Sequence, residues 1–138
     1  MDKSIYLLDS FALLAYLNNE PGKPRVEAIL ADAEKKQCQV LMCMVNLGEV
    51  LYQVERLHGF YAAQRTLVLA ESLPIGLLDA TRELVLDAAH IKANHPLSYA
   101  DAFAVAVAQR QNAIILTGDP EFETVKSIVN VEWLPKKS

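Results

Sequence analysis

The sequence is short of several things, and each shortage narrows its class. It has no run approaching 18 consecutive apolar residues, so no segment is expected to span a membrane. A basic start, a long apolar stretch and a small-residue cleavage site are also missing from its beginning, which argues against a secretory leader and for a cytoplasmic protein. Cysteine is scarce: Cys38 and Cys43 alone, an odd number of positions apart within what reads as one strand. They fall on opposite faces, cannot easily bridge, and are expected as buried free thiols. Three histidines, His58, His90 and His95, make no zinc-type spacing with them and are expected at solvated helix ends. There is no basic excess either, since the net charge is −4. That balance lacks the footprint common to phosphate-binding proteins.

What is present suits one globular domain. The 138 residues, 52% hydrophobic and 22% charged, are enough to enclose a core. Residues 1–134 are expected to form the domain and 135–138 a tail. Short apolar runs at 5–8, 39–44, 74–78, 113–116 and 131–134 read as strands. Between them, helical spacing or buried apolar character marks 11–17, 25–36, 46–58, 60–72, 80–93 and 98–111, with a short helix after Pro120. Gly59 follows the third helix as a terminator, and the sixth, apolar nearly all round, is expected to be central. Strands alternating with helices, the first and fourth almost wholly apolar, indicate an α/β protein: three α/β/α layers around a mainly parallel sheet.

In such sheets ligands bind beyond the carboxyl ends of the strands, where helix N-termini converge. Four acids fall there. Asp9 follows the first strand, Asp119 follows the fourth, and Glu49 and Asp101 are placed in the first turns of their helices. Each has a bland explanation. Asp9 and Asp119-Pro120 are good helix caps, Ser98 to Asp101 resembles a capping box, and Glu49 reads as a solvated residue beside Tyr52 and Arg56. Together they are harder to explain, because converging carboxylates repel unless something positive sits among them. Hard divalent cations such as Mg²⁺ or Mn²⁺ suit an all-oxygen pocket. Ser10, Asn46 and Thr117 supply small polar groups beside the acids. With those four acids set aside, 13 acidic and 13 basic residues remain, so the excess negative charge can belong to one pocket.

Four segments carry a resemblance: residues 7–17 (LLDSFALLAYL), 46–52 (NLGEVLY), 97–108 (LSYADAFAVAVA) and 114–122 (IILTGDPEF). In order and spacing they resemble the signature segments of PIN-domain nucleases, and over this length the VapC-type toxins of bacterial toxin–antitoxin pairs. The resemblance implies a Mg²⁺- or Mn²⁺-dependent endoribonuclease, usually a homodimer, acting on RNA and neutralised by a small antitoxin. It makes Asp9, Glu49, Asp101 and Asp119 the catalytic and metal-ligating acids, with Ser10, Asn46 and Thr117 supporting them. Asn46 stands where many relatives carry Ser or Thr, and Glu121 is left outside the ligand set.

Three other readings compete. A phosphoacceptor receiver domain would need paired acids after the first strand and a lysine ending the last, which are not found here. A PIN-like interaction domain without catalysis is the main alternative, and a metal phosphatase a third. The aromatic residues Tyr16, Tyr52, Phe60, Tyr61 and Tyr99 are candidates for stacking on bases, with core packing the simpler expectation.

Overall fold

The computed structural model describes residues 3–136. Five strands, β1 (Ile5–Leu8), β2 (Gln39–Cys43), β3 (Gly76–Leu78), β4 (Ile114–Thr117) and β5 (Asn130–Trp133), form one sheet in the order β3-β2-β1-β4-β5. Every strand pairing is parallel. Six helices join them: α1 (Ser10–Leu17), α2 (Lys23–Glu34), α3 (Met44–His58), α4 (Phe60–Ser72), α5 (Arg82–Asn94) and α6 (Tyr99–Gln111). A 3₁₀ segment covers Pro120–Val125.

Alternation along the strands divides the core in two. Leu7, Leu41, Cys43 and Ile115 face α5, α6 and the 3₁₀ segment. Leu8, Val40, Met42 and Leu116 face α1, α2, α3 and α4. These side chains are nearly sealed from water, so truncating Leu8 or Leu116 to alanine would cost about 2–5 kcal/mol. Residues 101–108 of α6 are buried without a break, which explains its lack of an amphipathic stripe. Its alanines let it lie close against the sheet and α5.

Element limits differ from expectation where backbone chemistry intervenes. β2 passes straight into α3 at Met44, so Glu49 lies in the second turn of α3, not the first. Helix α2 starts at Lys23, because Pro24 in the first turn needs no intrahelical donor. Thr81 caps α5, its hydroxyl accepting from the Leu84 N–H at 3.3 Å, which moves that start past Ala80. Gly59 ends α3 at φ 91°, a conformation glycine adopts freely, and α4 begins at the next residue. Cys38 precedes β2 and is half-buried, while Cys43 is buried on the other side of the sheet. His58 ends α3, His95 ends α5, and His90 lies on the exposed side of α5. Core packing fails as an account of the aromatic residues: Tyr52, Phe60, Tyr61 and Tyr99 are all exposed, and only Tyr16 is half-buried. Leu134 packs in the core while Pro135 and Lys136 are exposed. The rest of the expected tail, 137–138, lies outside the described residues.

Candidate active site

The strand order reverses between β1 and β4: from β1 the chain builds outward through β2 and β3, then returns to place β4 and β5 on the other side. Such a reversal opens a crevice at the carboxyl ends of the two central strands. Asp9 and the 117–119 loop stand there.

Asp9 caps α1, its Oδ1 accepting from the Ala12 N–H at 2.9 Å. Its Oδ2 accepts from the Thr117 hydroxyl at 2.5 Å. The same hydroxyl oxygen accepts from the Asp119 N–H at 3.0 Å, so Thr117 ties the end of β1 to the turn after β4. Asp119 in turn caps the 3₁₀ segment through Oδ1, which accepts from the Glu121 N–H at 2.9 Å. Capping and site formation are therefore compatible, because each cap occupies one carboxylate oxygen.

Asp101 enters from α6. Its backbone N–H is held by the Ser98 hydroxyl at 3.1 Å, half of the expected capping box. Asp101 does not complete that box. Glu121 does, accepting from the Ser98 N–H at 3.4 Å. Glu121 was outside the expected set, yet ligand oxygens of Asp101, Asp119 and Glu121 lie within 4.8 Å of one another. The sequence signal was its position two residues after Asp119, which puts it on the turn that Asp119 caps.

Asn46 fixes α3 against α6, its Nδ2 donating to the Ala100 carbonyl at 3.1 Å. One turn on, Glu49 is half-buried, and its Oε1 is enclosed without a hydrogen-bond partner. Ser10 is the first residue of α1 and half-buried beside Asp9.

The electrostatics join the acids that the tight triad leaves out. Burial pushes the Asp9 carboxyl up to about 7, against the Thr117 and Ala12 hydrogen bonds, and the charges of Asp119 and Glu49 push it further. Asp101 is raised to about 8, first by burial and then by the charges of Asp9 and Asp119. Asp9 thus feels Asp119 and Glu49, Asp101 feels Asp9 and Asp119, and Glu121 lies beside Asp101 and Asp119.

Residues 6–128 match the family model of the PIN domain. The chain belongs to the PIN domain family. No curated protein matches the sequence significantly. Among solved structures, this PIN fold is similar to VapBC2 of Rickettsia felis, bound to a DNA fragment from its promoter, with a TM-score of 0.75 and 17% identity. That match covers 95% of this chain and 99% of the other. It is similar also to Mycobacterium tuberculosis VapC20, described as a toxin that cleaves the sarcin–ricin loop. There the TM-score is 0.73 and the identity 21%, over 96% of this chain and 100% of the other. The DNA-bound VapBC of Salmonella typhimurium gives 0.71 and 19%, covering 94% and 97%. At these identities the likeness is one of fold. No helix among the described residues is long and apolar enough to cross a membrane.

The donor set suits a hard divalent cation. It consists of carboxylate oxygens, two of the carboxyls are raised by burial and mutual repulsion, and Glu49 Oε1 lacks a partner. Each feature is relieved by positive charge placed among them.

Proposed function

We propose that this PIN domain is a Mg²⁺- or Mn²⁺-dependent endoribonuclease that hydrolyses RNA phosphodiester bonds, and that it is the toxin of a toxin–antitoxin pair. The observation that carries the reading is the grouping of Asp101, Asp119 and Glu121, with Asp9 tied to the Asp119 turn through Thr117 and with Asp9 and Asp101 raised by burial and by neighbouring carboxylates. Support for the toxin role comes from the solved VapC and VapBC structures of similar fold, one of them described as a sarcin–ricin-loop-cleaving toxin.

In this mechanism Asp9, Asp101 and Asp119 would hold the cation, with Glu121 beside them. When bound, the ion supplies positive charge to the phosphodiester and acidifies water in the crevice. Glu49, whose Oε1 is unpartnered, holds and orients the attacking water and accepts its proton. Thr117 keeps Asp9 and the Asp119 backbone in fixed relation, and Asn46 fixes the helix that carries Glu49. No covalent nucleophile is required.

The decisive test incubates purified protein with RNA, with and without chelator, beside Asp101→Asn. Cleavage requiring Mg²⁺ or Mn²⁺ and abolished in the variant supports the reading. Metal-independent or equal cleavage removes it, and turnover of phosphomonoesters in place of RNA makes the protein a phosphatase. Expression alone should arrest bacterial growth, with relief from Asp101→Asn or from a co-expressed antitoxin that brings a basic side chain to the carboxylates. The active form is a homodimer, which sedimentation checks.

A further inference from the structure

The site has five acids but, among the described residues, no cation hydrogen-bonded to them or paired with them, so something else must grip the substrate's phosphates. Three ion pairs occupy Arg25, Arg110 and Lys126 with Glu132, Asp87 and Glu123. Arg56 is in none of them. It is exposed, and its guanidinium lies 4.8 Å from the centre of the Tyr52 ring. Tyr52 is itself 48% exposed.

Helical geometry places this pair on the same side of α3 as Glu49. Arg56 is seven residues after Glu49, so the two project within about 20° of the same direction from α3. Tyr52 is one turn from Glu49, about 4.5 Å along the axis, and Arg56 reaches back over it. A cation near a helix C-terminus often serves the last carbonyls. Arg56 turns the other way, towards Tyr52 and the turn that carries Glu49. It also leaves Glu49 unneutralised, since no ion pair joins them and Glu49 Oε1 has no partner. The guanidinium is therefore held against the Tyr52 ring, charged and in no ion pair, on the side of α3 that carries Glu49.

We propose that Tyr52 and Arg56 form the substrate grip of this site, Arg56 binding a phosphate of single-stranded RNA next to the scissile one and Tyr52 positioning it. The proposal rests on the ribonuclease reading and names the substrate contact that reading lacks. A planar guanidinium matches phosphate with two parallel N–H donors, and contact with the Tyr52 ring reduces the rotamer freedom lost on binding. The exposed part of the Tyr52 ring offers a surface for an unstacked base.

The test uses full-length protein and a single-stranded RNA oligonucleotide, with thermal melts confirming that each variant folds. Binding is measured by fluorescence anisotropy in the Asp101→Asn background over a salt series, and cleavage in the native background. Arg56→Gln should weaken binding about tenfold and flatten the log–log salt slope by about 0.7, the value for one phosphate contact on a single strand. Its loss of kcat/KM should come through KM, with Arg56→Lys recovering part of it. Tyr52→Leu should also raise KM while keeping most of the salt slope, because the charge remains. Native protein that cleaves RNA, with variants matching it in KM and slope, overturns this proposal and leaves the ribonuclease reading standing. Native protein that neither binds nor cleaves RNA overturns both.

Discussion

Thr117 does the most with the fewest atoms. One buried hydroxyl donates to Asp9 and accepts from the Asp119 N–H, so its loss strands a carboxylate oxygen and a backbone donor together. Thr117→Val keeps the shape and removes both bonds, and should cost about 1–3 kcal/mol in denaturant melts. It should lower cleavage on the order of tenfold through misplaced acids. Thr117→Ser should retain most of both, and a valine variant with native activity would show that the bridge is incidental. Asp101 carries the opposite tension. Its carboxyl sits at about 8 because burial and the charges of Asp9 and Asp119 oppose ionisation. Without metal at neutral pH or above, Asp101→Asn should therefore melt several degrees above the native protein while losing activity. A lower melting temperature would mean that the repulsion is relieved in some other way.

At the scale of elements, the site depends on how the β4 turn meets the start of α1. Phe11 lies across Gly118, where an added Cβ would come within 2.4 Å of the ring. Gly118→Ala must push the ring or the turn, and the turn carries Thr117 and Asp119. The expected cost is about 1–3 kcal/mol, with reduced cleavage. Adding Phe11→Leu should restore part of the stability, since the shorter side chain vacates the contact. A double-mutant cycle measures that coupling, and strict additivity would rule the contact out. Much of this level was legible in the sequence. Apolar runs ending in Asp9 or in Thr117-Gly118-Asp119 gave β1, β4 and the edge of the sheet where the acids stand. Glu49 was misplaced by a turn because nothing in Met44-Val45 distinguishes the end of a strand from the start of a helix. Glu121 was undervalued because its role depends on Ser98, 23 residues away and on another element. Such a long-range contact leaves no local pattern. The exposed aromatics of α3 and α4 illustrate the same limit, as periodicity places Tyr52 on a helix side without saying what covers it.

For the whole molecule, charge and stability are linked through the site. The net charge of −4 is matched in size by the four acids first identified, and the remaining acidic and basic residues balance. That arithmetic was available before the structure; the burial that gives it an energetic cost was not. Asp9 and Asp101 rise from an ordinary 3.8 to about 7 and about 8 on folding. Between those limits the folded chain binds more protons than the unfolded one, so metal-free stability must fall as pH rises from about 4 to about 8, then level off. Cation binding needs the carboxylates ionised, so it competes with the same protons. Saturating Mg²⁺ or Mn²⁺ should raise the melting temperature by several degrees at pH 8, since a cation at a hundred times its Kd adds about 2.7 kcal/mol. The rise should shrink towards pH 6 and be much smaller in Asp101→Asn at either pH. Calorimetric melts across this range, with chelator and with metal, separate the alternatives. Metal-free stability that climbs with pH, or a metal response equal at pH 6 and pH 8, would show that these carboxyls do not govern the folded state and would remove the electrostatic ground for a cation among them.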